Sequence, residues 1–299
     1  MIISASRRTD IPAFYFDWFL NRINDGYVMT KNPINRKQIS KINLSPELID
    51  CIVFWTKNPV PMCRSLDKIS AYDYYIQYTL NLYDEDIEPA VLASKESRID
   101  AFKRIADKIG ADRVIWRYDP IIISEKYTAD RHLRNFGDTA KALAGYAKRC
   151  VISFLDFYER IENSVRAAEI YPASADEKDY IAENFAETAA KYKINISACA
   201  EDIDFSQYGI YPSRCIDGEL IHYLFGKWVN LEKDKNQRPL CGCAGSIDIG
   251  AYDTCFHRCI YCYANRSAKK AVENYYKYDP DSPVLCGGIV GDEKIFERN

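Results

Sequence analysis

The sequence is poor in histidine, has no long apolar run and carries almost no net charge. Three histidines, His132, His222 and His257, stand in 299 residues. A zinc or non-haem iron site built mainly on imidazole is therefore short of ligands. No uninterrupted stretch reaches the roughly 18 apolar residues of a membrane-spanning helix, so no membrane partner is expected. The 40 Lys and Arg against 43 Asp and Glu leave a net charge of −3. That balance argues against a protein whose affinity comes from a basic surface. A nucleic-acid partner would need a local basic groove, and the overall charge lends it no support. Residues 1–10 lack the charged-then-apolar pattern of a secretory signal, so a cytoplasmic protein is expected. No repeat of solenoid length is visible.

Cysteine, by contrast, is abundant, with eleven in the chain. In a reducing compartment thiols stay reduced, so a cysteine cluster reads as metal-binding or catalytic rather than as disulfides. With imidazole scarce, sulfur must be the main ligand, which points to zinc or to iron–sulfur. Apolar residues make up 47% of the chain, enough to bury a large core. The length fits two domains or one α/β barrel.

Short β-branched or aromatic runs alternate with helical stretches over the first 200 or so residues. Strands are expected at 2–6, 51–56, 74–80, 113–118, 150–156 and 194–199. The run Cys51-Ile52-Val53-Phe54-Trp55 is apolar on consecutive residues, as suits a parallel strand buried on both faces. Helices are expected at 13–24 with Gly26 as the stop, at 94–109, at 129–148 and at 175–192. The alternation predicts an α/β fold, a full or partial (β/α) TIM-like barrel. Residues 231–238 are charged and turn-prone and read as a linker. They divide a barrel body, 1–230, from a Cys-rich C-terminal segment, 231–299, that would pack on it.

Active sites of parallel α/β folds lie at the carboxyl ends of the strands, and those ends are polar here. They read Ser6-Arg7-Arg8-Thr9-Asp10, Thr56-Lys57-Asn58, Thr79-Leu80-Asn81, Arg117-Tyr118-Asp119-Pro120, Asp156-Phe157-Tyr158 and Cys199-Ala200-Glu201-Asp202. A loop must be solvated, so one such end means little. Six in succession would line one rim, able to bind an anionic or zwitterionic ligand. Arg7, Arg8 and Asp10 are substrate-binding candidates or structural ion pairs.

In the C-terminal segment Cys255, Cys259 and Cys262 follow the spacing C-x3-C-x2-C. Three thiolates so placed can hold three corners of a [4Fe–4S] cluster and leave one iron open to a small molecule. Only Cys259 and Cys262 fit a zinc knuckle, and His257 stands too close to Cys255 for a standard finger. Cys199, Cys215, Cys241 and Cys243 number enough to ligate a second cluster or a structural zinc, and as buried thiols they also suit plain packing. Cys51, Cys63, Cys150 and Cys286 read as structural.

C-x3-C-x-aromatic-C, with Tyr261 at the aromatic position, resembles the signature of radical S-adenosylmethionine (SAM) enzymes. The string Asp-Thr-Cys-x3-Cys-x-Tyr-Cys-Tyr-Ala is similar to the spore photoproduct lyase-like branch. The strand ends Thr56-Lys57-Asn58, Thr79-Leu80-Asn81 and Arg117-Tyr118-Asp119-Pro120-Ile121 match that branch in order. The resemblance covers about two-thirds of the chain. The Cys motif departs from it by lying near the C-terminus, which implies a circular permutation in which 246–252 forms the closing strand. This layout also resembles an uncharacterised domain-of-unknown-function family.

The resemblance implies SAM bound to an open iron, reductive cleavage to a 5′-deoxyadenosyl radical, and a reductant such as flavodoxin or ferredoxin. It implies cofactor-binding roles for Lys57, Asn81, Tyr261 and Tyr263, the tyrosines near adenine. Arg117, Asp119 and Glu201 become the catalytic candidates. Arg117 would pair with a carboxylate. Asp119 would hold ribose hydroxyls or position Arg117. Glu201 would act as acid/base or brace a neighbouring cluster. Two other readings stay open: an iron–sulfur electron-transfer or sensor protein without SAM, and a zinc-stapled binding module.

Overall fold

The structure is a computed structural model that describes residues 1–91 and 93–298. Residues 92 and 299, which fall in the two expected segments, lie outside the described residues. In chain order the strands are β1 (Ile2–Ala5), β2 (Tyr27–Lys31), β3 (Gln38–Asn43), β4 (Cys51–Thr56), β5 (Tyr74–Thr79) and β6 (Val114–Ile121). They continue with β7 (Arg149–Phe154), β8 (Asn195–Ala198), β9 (Tyr211–Pro212), β10 (Ile247–Asp248) and β11 (Lys294–Arg298). The main sheet has eight strands in the order β10-β1-β4-β5-β6-β7-β8-β9, every pair parallel.

The apolar runs of the sequence become strands buried on both faces. In β4, Ile52 and Phe54 join one core with Phe19, Tyr74 and Ile76, while Cys51 and Val53 join another with Tyr75, Ile115 and Val151. Helices cover the first face. Phe136 of Ala129–Ala142 stacks on Phe185 of Ala175–Lys191 with ring centroids 3.9 Å apart. Cys199, Cys215, Cys241 and Cys243 belong to the second core, beside Ile216, Leu220 and Ile221.

The sheet is an α/β sheet as expected, and its two edges, β9 and β10, are not paired to each other among the described residues. The chain beyond those edges meets at one backbone hydrogen bond, from Ala244 N to Ile216 O at 3.0 Å. Strand β10 comes from the C-terminal segment and pairs with β1 through Ile3 and Ile247. It is far shorter than the expected 246–252: Ile249 N still donates to Ser4 O, but Gly250 N donates to the Asp248 carboxylate instead of to β1.

Other boundaries move for local reasons. The expected helix 13–24 is two helices, Ile11–Phe14 and Phe16–Asp25, which meet at Tyr15. The Tyr15 hydroxyl reaches Thr254 O at 2.5 Å, tying this break to the Cys-rich loop. The helix expected at 129–148 ends at Ala142, and Gly145 then turns the chain at φ 86°. Strands β2, β3 and β11 form a separate three-stranded sheet that the sequence reading did not anticipate. No helix among the described residues is long and apolar enough to cross a membrane.

Candidate functional site

The carboxyl ends of the parallel strands open on one cavity of about 1060 Å³. Its wall takes Ser6, Arg7 and Arg8 after β1, Lys57 after β4, Thr79 from β5, Arg117 and Asp119 from β6, and Ser153 to Asp156 at the end of β7. The Cys-rich loop supplies Tyr261, Cys262 and Tyr263, and the sheet edges supply Cys199, Cys215, Cys241 and Cys243. Asp234, Asn236, Gln237 and Arg238 also line it. Residues 231–238 are therefore no spacer. They fold onto the cavity, held by Asp234 N on Cys243 O at 2.9 Å and by an Arg238–Asp156 ion pair.

Lys57 is one of the anchored cations of the rim. Its ammonium donates to Glu88 Oε1 at 2.7 Å and lies 5.6 Å from the Tyr261 ring centroid. Tyr261 donates its hydroxyl to the same Glu88 oxygen at 2.5 Å. Glu88 is fully buried. Burial pushes its carboxyl up, but Lys57 and then Arg98 outweigh burial and hold it below the ordinary glutamate range. The sequence reading missed Glu88, which lies in a loop without periodicity. Asn81 sits behind this group rather than on the cavity wall. It donates to Asp119 O at 3.1 Å, and its side-chain oxygen is 3.5 Å from the Lys57 ammonium.

Arg117 is 5% exposed, and each of its three side-chain nitrogens already donates to a protein group. Nε and Nη2 donate to Asp119 Oδ2, and Nη1 donates to Gln77 Oε1 at 3.3 Å and to Cys215 Sγ at 2.9 Å. The expected role for Arg117 as a carboxylate partner gives way to one of positioning Asp119. Burial pushes the Asp119 carboxyl up, but the Arg117 charge and the Ser153 hydroxyl bring it below its ordinary range. Glu201 is not on the cavity wall. Its Oε1 accepts from Phe154 N at 2.8 Å and its Oε2 lies 3.5 Å from Lys178 Nζ, so it braces β7 against the chain after β8. Burial raises its carboxyl.

Asp10, also a rim candidate, is buried and structural. It caps Ile11–Phe14 through Ala13 N, accepts from Lys57 N at 2.7 Å and holds His257 Nε2 at 2.8 Å. Thus one carboxylate fixes the first strand end, the β4 end and the Cys-rich loop together. Asp248 does the same at the sheet edge, accepting from Ser4 Oγ at 2.6 Å, Ser6 Oγ at 2.7 Å and Arg7 N at 2.8 Å. Arg8 lies 3.8 Å from its Oδ1. These bonds span more than 240 residues, so no local signal could have revealed them.

Cys255, Cys259 and Cys262 are half-buried on a tight loop. Cys262 N donates to Cys259 O, and Asn265 Nδ2 donates to Cys255 O. Burial pushes the thiol of each one up, and for Cys255 and Cys259 the neighbouring thiols of the trio push further. The Tyr263 hydroxyl donates to Arg7 O at 3.0 Å, and its ring lies 5.7 Å from that of Tyr158. Among the described residues no group of three or more His, Cys, Asp or Glu side chains is placed to hold a metal ion.

A family model described as a domain of unknown function (DUF1848) matches residues 2–264, which takes in the main sheet and the Cys-rich loop. No curated protein and no solved structure matches the chain.

Proposed function

The chain belongs to the DUF1848 family, and on that premise we propose that it is a radical SAM enzyme built on a circularly permuted, partial (β/α) barrel. The observation that carries this reading is that Tyr261, Cys262 and Tyr263 enter the same cavity as Lys57 and Asp119. The loop that bears them follows β10, the strand that lies parallel beside β1. That is where a permuted barrel would need its cluster loop.

The donor set fits an iron–sulfur cluster. Three neighbouring thiols whose pKa values are raised need a strong cation to draw out their thiolates, as metal binding does. The loop also buries polar atoms without partners, His257 Nδ1 and Asn265 Oδ1. When bound, a cluster held by three thiolates keeps one iron open for SAM and supplies the electron that makes its sulfonium a source of carbon-radical chemistry.

The protein's own groups do the placing. Glu88 and Lys57 pin Tyr261 against the cavity wall. Tyr158 and Tyr263 offer aromatic faces to an adenine ring. Asp119, kept ionised by Arg117, offers an acceptor for ribose hydroxyls. The loop 231–238 adds Asp234, Asn236, Gln237 and Arg238 to the cavity wall. A one-electron donor such as flavodoxin or ferredoxin would supply the reductant.

The test is low-temperature EPR on anaerobically prepared, dithionite-reduced protein with and without SAM, alongside release of 5′-deoxyadenosine. The expected result is a cluster signal that shifts on adding SAM. A cluster signal indifferent to SAM would replace this reading with electron transfer or sensing. Zinc in place of iron would replace it with a binding module.

A further inference from the structure

A second thiol group lines the same cavity. Cys199 follows β8, Cys215 follows β9, and Cys241 and Cys243 precede β10. They come from three separate segments and are all buried. The sulfurs of Cys199 and Cys215 are 3.5 Å apart. Cys243 Sγ accepts from Cys215 N at 3.2 Å and from Ile216 N at 3.5 Å. Cys241 and Cys215 flank Cys243 in turn. The four sulfurs thus run as a chain along the seam where β9 and β10 fail to pair.

Two guanidiniums address this group. Arg117 Nη1 donates to Cys215 Sγ at 2.9 Å. Arg7 lies close enough for Cys243 and Cys215 to act on its charge, and its buried Nη2 has no hydrogen-bond partner. Arg117 is paired with Asp119 and Arg7 Nη1 lies 3.7 Å from Asp234 Oδ2, so the donor that four neutral thiols leave unsatisfied is the buried Arg7 Nη2. Beside four thiolates on a metal centre, the same cations compensate an anion and donate to sulfur.

From this arrangement we infer that Cys199, Cys215, Cys241 and Cys243 hold a second, fully thiolate-ligated [4Fe–4S] cluster, with Arg7 and Arg117 as its charge partners. A polynuclear centre is favoured over a single zinc ion by the spacing of the thiols. Structural zinc takes thiols in knuckles with two to four residues between them, whereas Cys241 and Cys243 are separated by one residue and Cys199 and Cys215 by fifteen. With every iron taken by a thiolate, such a cluster has no open site. Its role is to carry an electron to or from the cavity, and its potential answers to the arginines.

This inference stands apart from the reading of the first site, and one experiment separates them. Iron, acid-labile sulfide and zinc are counted in the anaerobically prepared full chain and in two variants, C255A/C259A/C262A and C199A/C215A/C241A/C243A. The expected count is about eight irons per chain, about four in either variant. Four irons in the full chain that vanish with the first variant and survive the second would overturn the second cluster and leave the SAM reading standing. Zinc bound at the four cysteines, or a Cys199–Cys215 disulfide in place of metal, would overturn it too. The Arg7→Gln variant needs no cysteine loss and gives a second readout. Removing its positive charge should move the potential of one cluster signal to more negative values. Failure of both potentials to move would count against the assignment.

Discussion

Arg117 and Cys215 meet at 2.9 Å through Nη1 and Sγ, while the other nitrogens of the same guanidinium hold Asp119. One buried cation therefore links the carboxylate on the cavity wall to the four-thiol seam. The link runs through a side chain with no slack, since Gln77 takes the remaining contact at Nη1.

Replacing Arg117 with Gln should cost about 3 kcal/mol of stability, the low end for breaking a buried ion pair, because Asp119 keeps some exposure. The pH dependence gives the signature. Asp119 has a folded pKa below its unfolded value, so the pair's stabilisation is present above about pH 4 and is lost as pH falls through the folded value. Urea unfolding at neutral pH and near pH 3.5 should show the gap between wild type and variant narrowing on the acid side. A gap of constant size would show that Asp119 does not depend on Arg117.

His132 sets a second acid-sensitive term. It is buried, and its Nε2 lies 2.8 Å from Ile122 O, which can only accept, so Nε2 carries the proton. Bare Nδ1 then accepts from the Tyr118 hydroxyl at 2.9 Å. Burial pushes its pKa down to about 4. The unfolded chain binds this proton near pH 6.5 and the folded chain does not. Stability should therefore fall as pH drops from about 6.5 to about 4, by roughly 3 kcal/mol in full. In His132→Gln that slope should disappear. Persistence of the same slope in the variant would assign it to other groups.

Much of the fold was legible because runs such as Cys51–Trp55 in β4 are apolar on consecutive residues, and such runs announce strands buried on both faces. The rim was legible because charges follow the strand runs, Lys57 after Cys51–Thr56 and Arg117 and Asp119 after Val114-Ile115-Trp116. What escaped was set by distance in the chain. The β2–β3 sheet is rich in Lys, Asn and Ser and is completed by β11, more than 250 residues away. Asp10, Glu88 and Asp248 each look like an ordinary loop carboxylate until the fold brings their partners to them. Gly145 was the local signal that should have shortened the helix read at 129–148.

Gly250 marks the place where the C-terminal segment is keyed to the N-terminus. A Cβ built there would lie 2.6 Å from Ser6 Cβ and would strike the Ser6 hydroxyl that Asp248 holds. Gly250→Ala should cost about 1–3 kcal/mol through overpacking. Because the Cys-rich loop begins just beyond, the variant should also retain less iron than wild type after buffer exchange. Gly137→Ala, inside a helix with nothing within 4 Å of the added Cβ, is the matched control and should raise stability by about 0.5–1 kcal/mol while leaving iron retention unchanged. Equal iron retention in the two variants would uncouple the loop from this contact.

Lys57 and Glu88 allow a binding role to be separated from a bracing one. Lys57→Met leaves Glu88 fully buried with Arg98 at 3.7 Å as its remaining cation. With Arg98 still facing the carboxylate, the loss should sit at the low end for breaking a buried pair, about 3 kcal/mol. Glu88→Gln alone strands the ammonium less severely, because Lys57 keeps 12% exposure and can reach the cavity. The double variant removes both charges but leaves the buried Arg98 without its carboxylate, so it should regain part of the lost stability, with a coupling of about 2 kcal/mol in a double-mutant cycle. SAM binding divides differently. If Lys57 only braces Tyr261, the double variant should recover SAM binding along with stability. If Lys57 also meets the cofactor, stability returns and SAM affinity does not, and that second outcome is the one expected from an ammonium on the cavity wall.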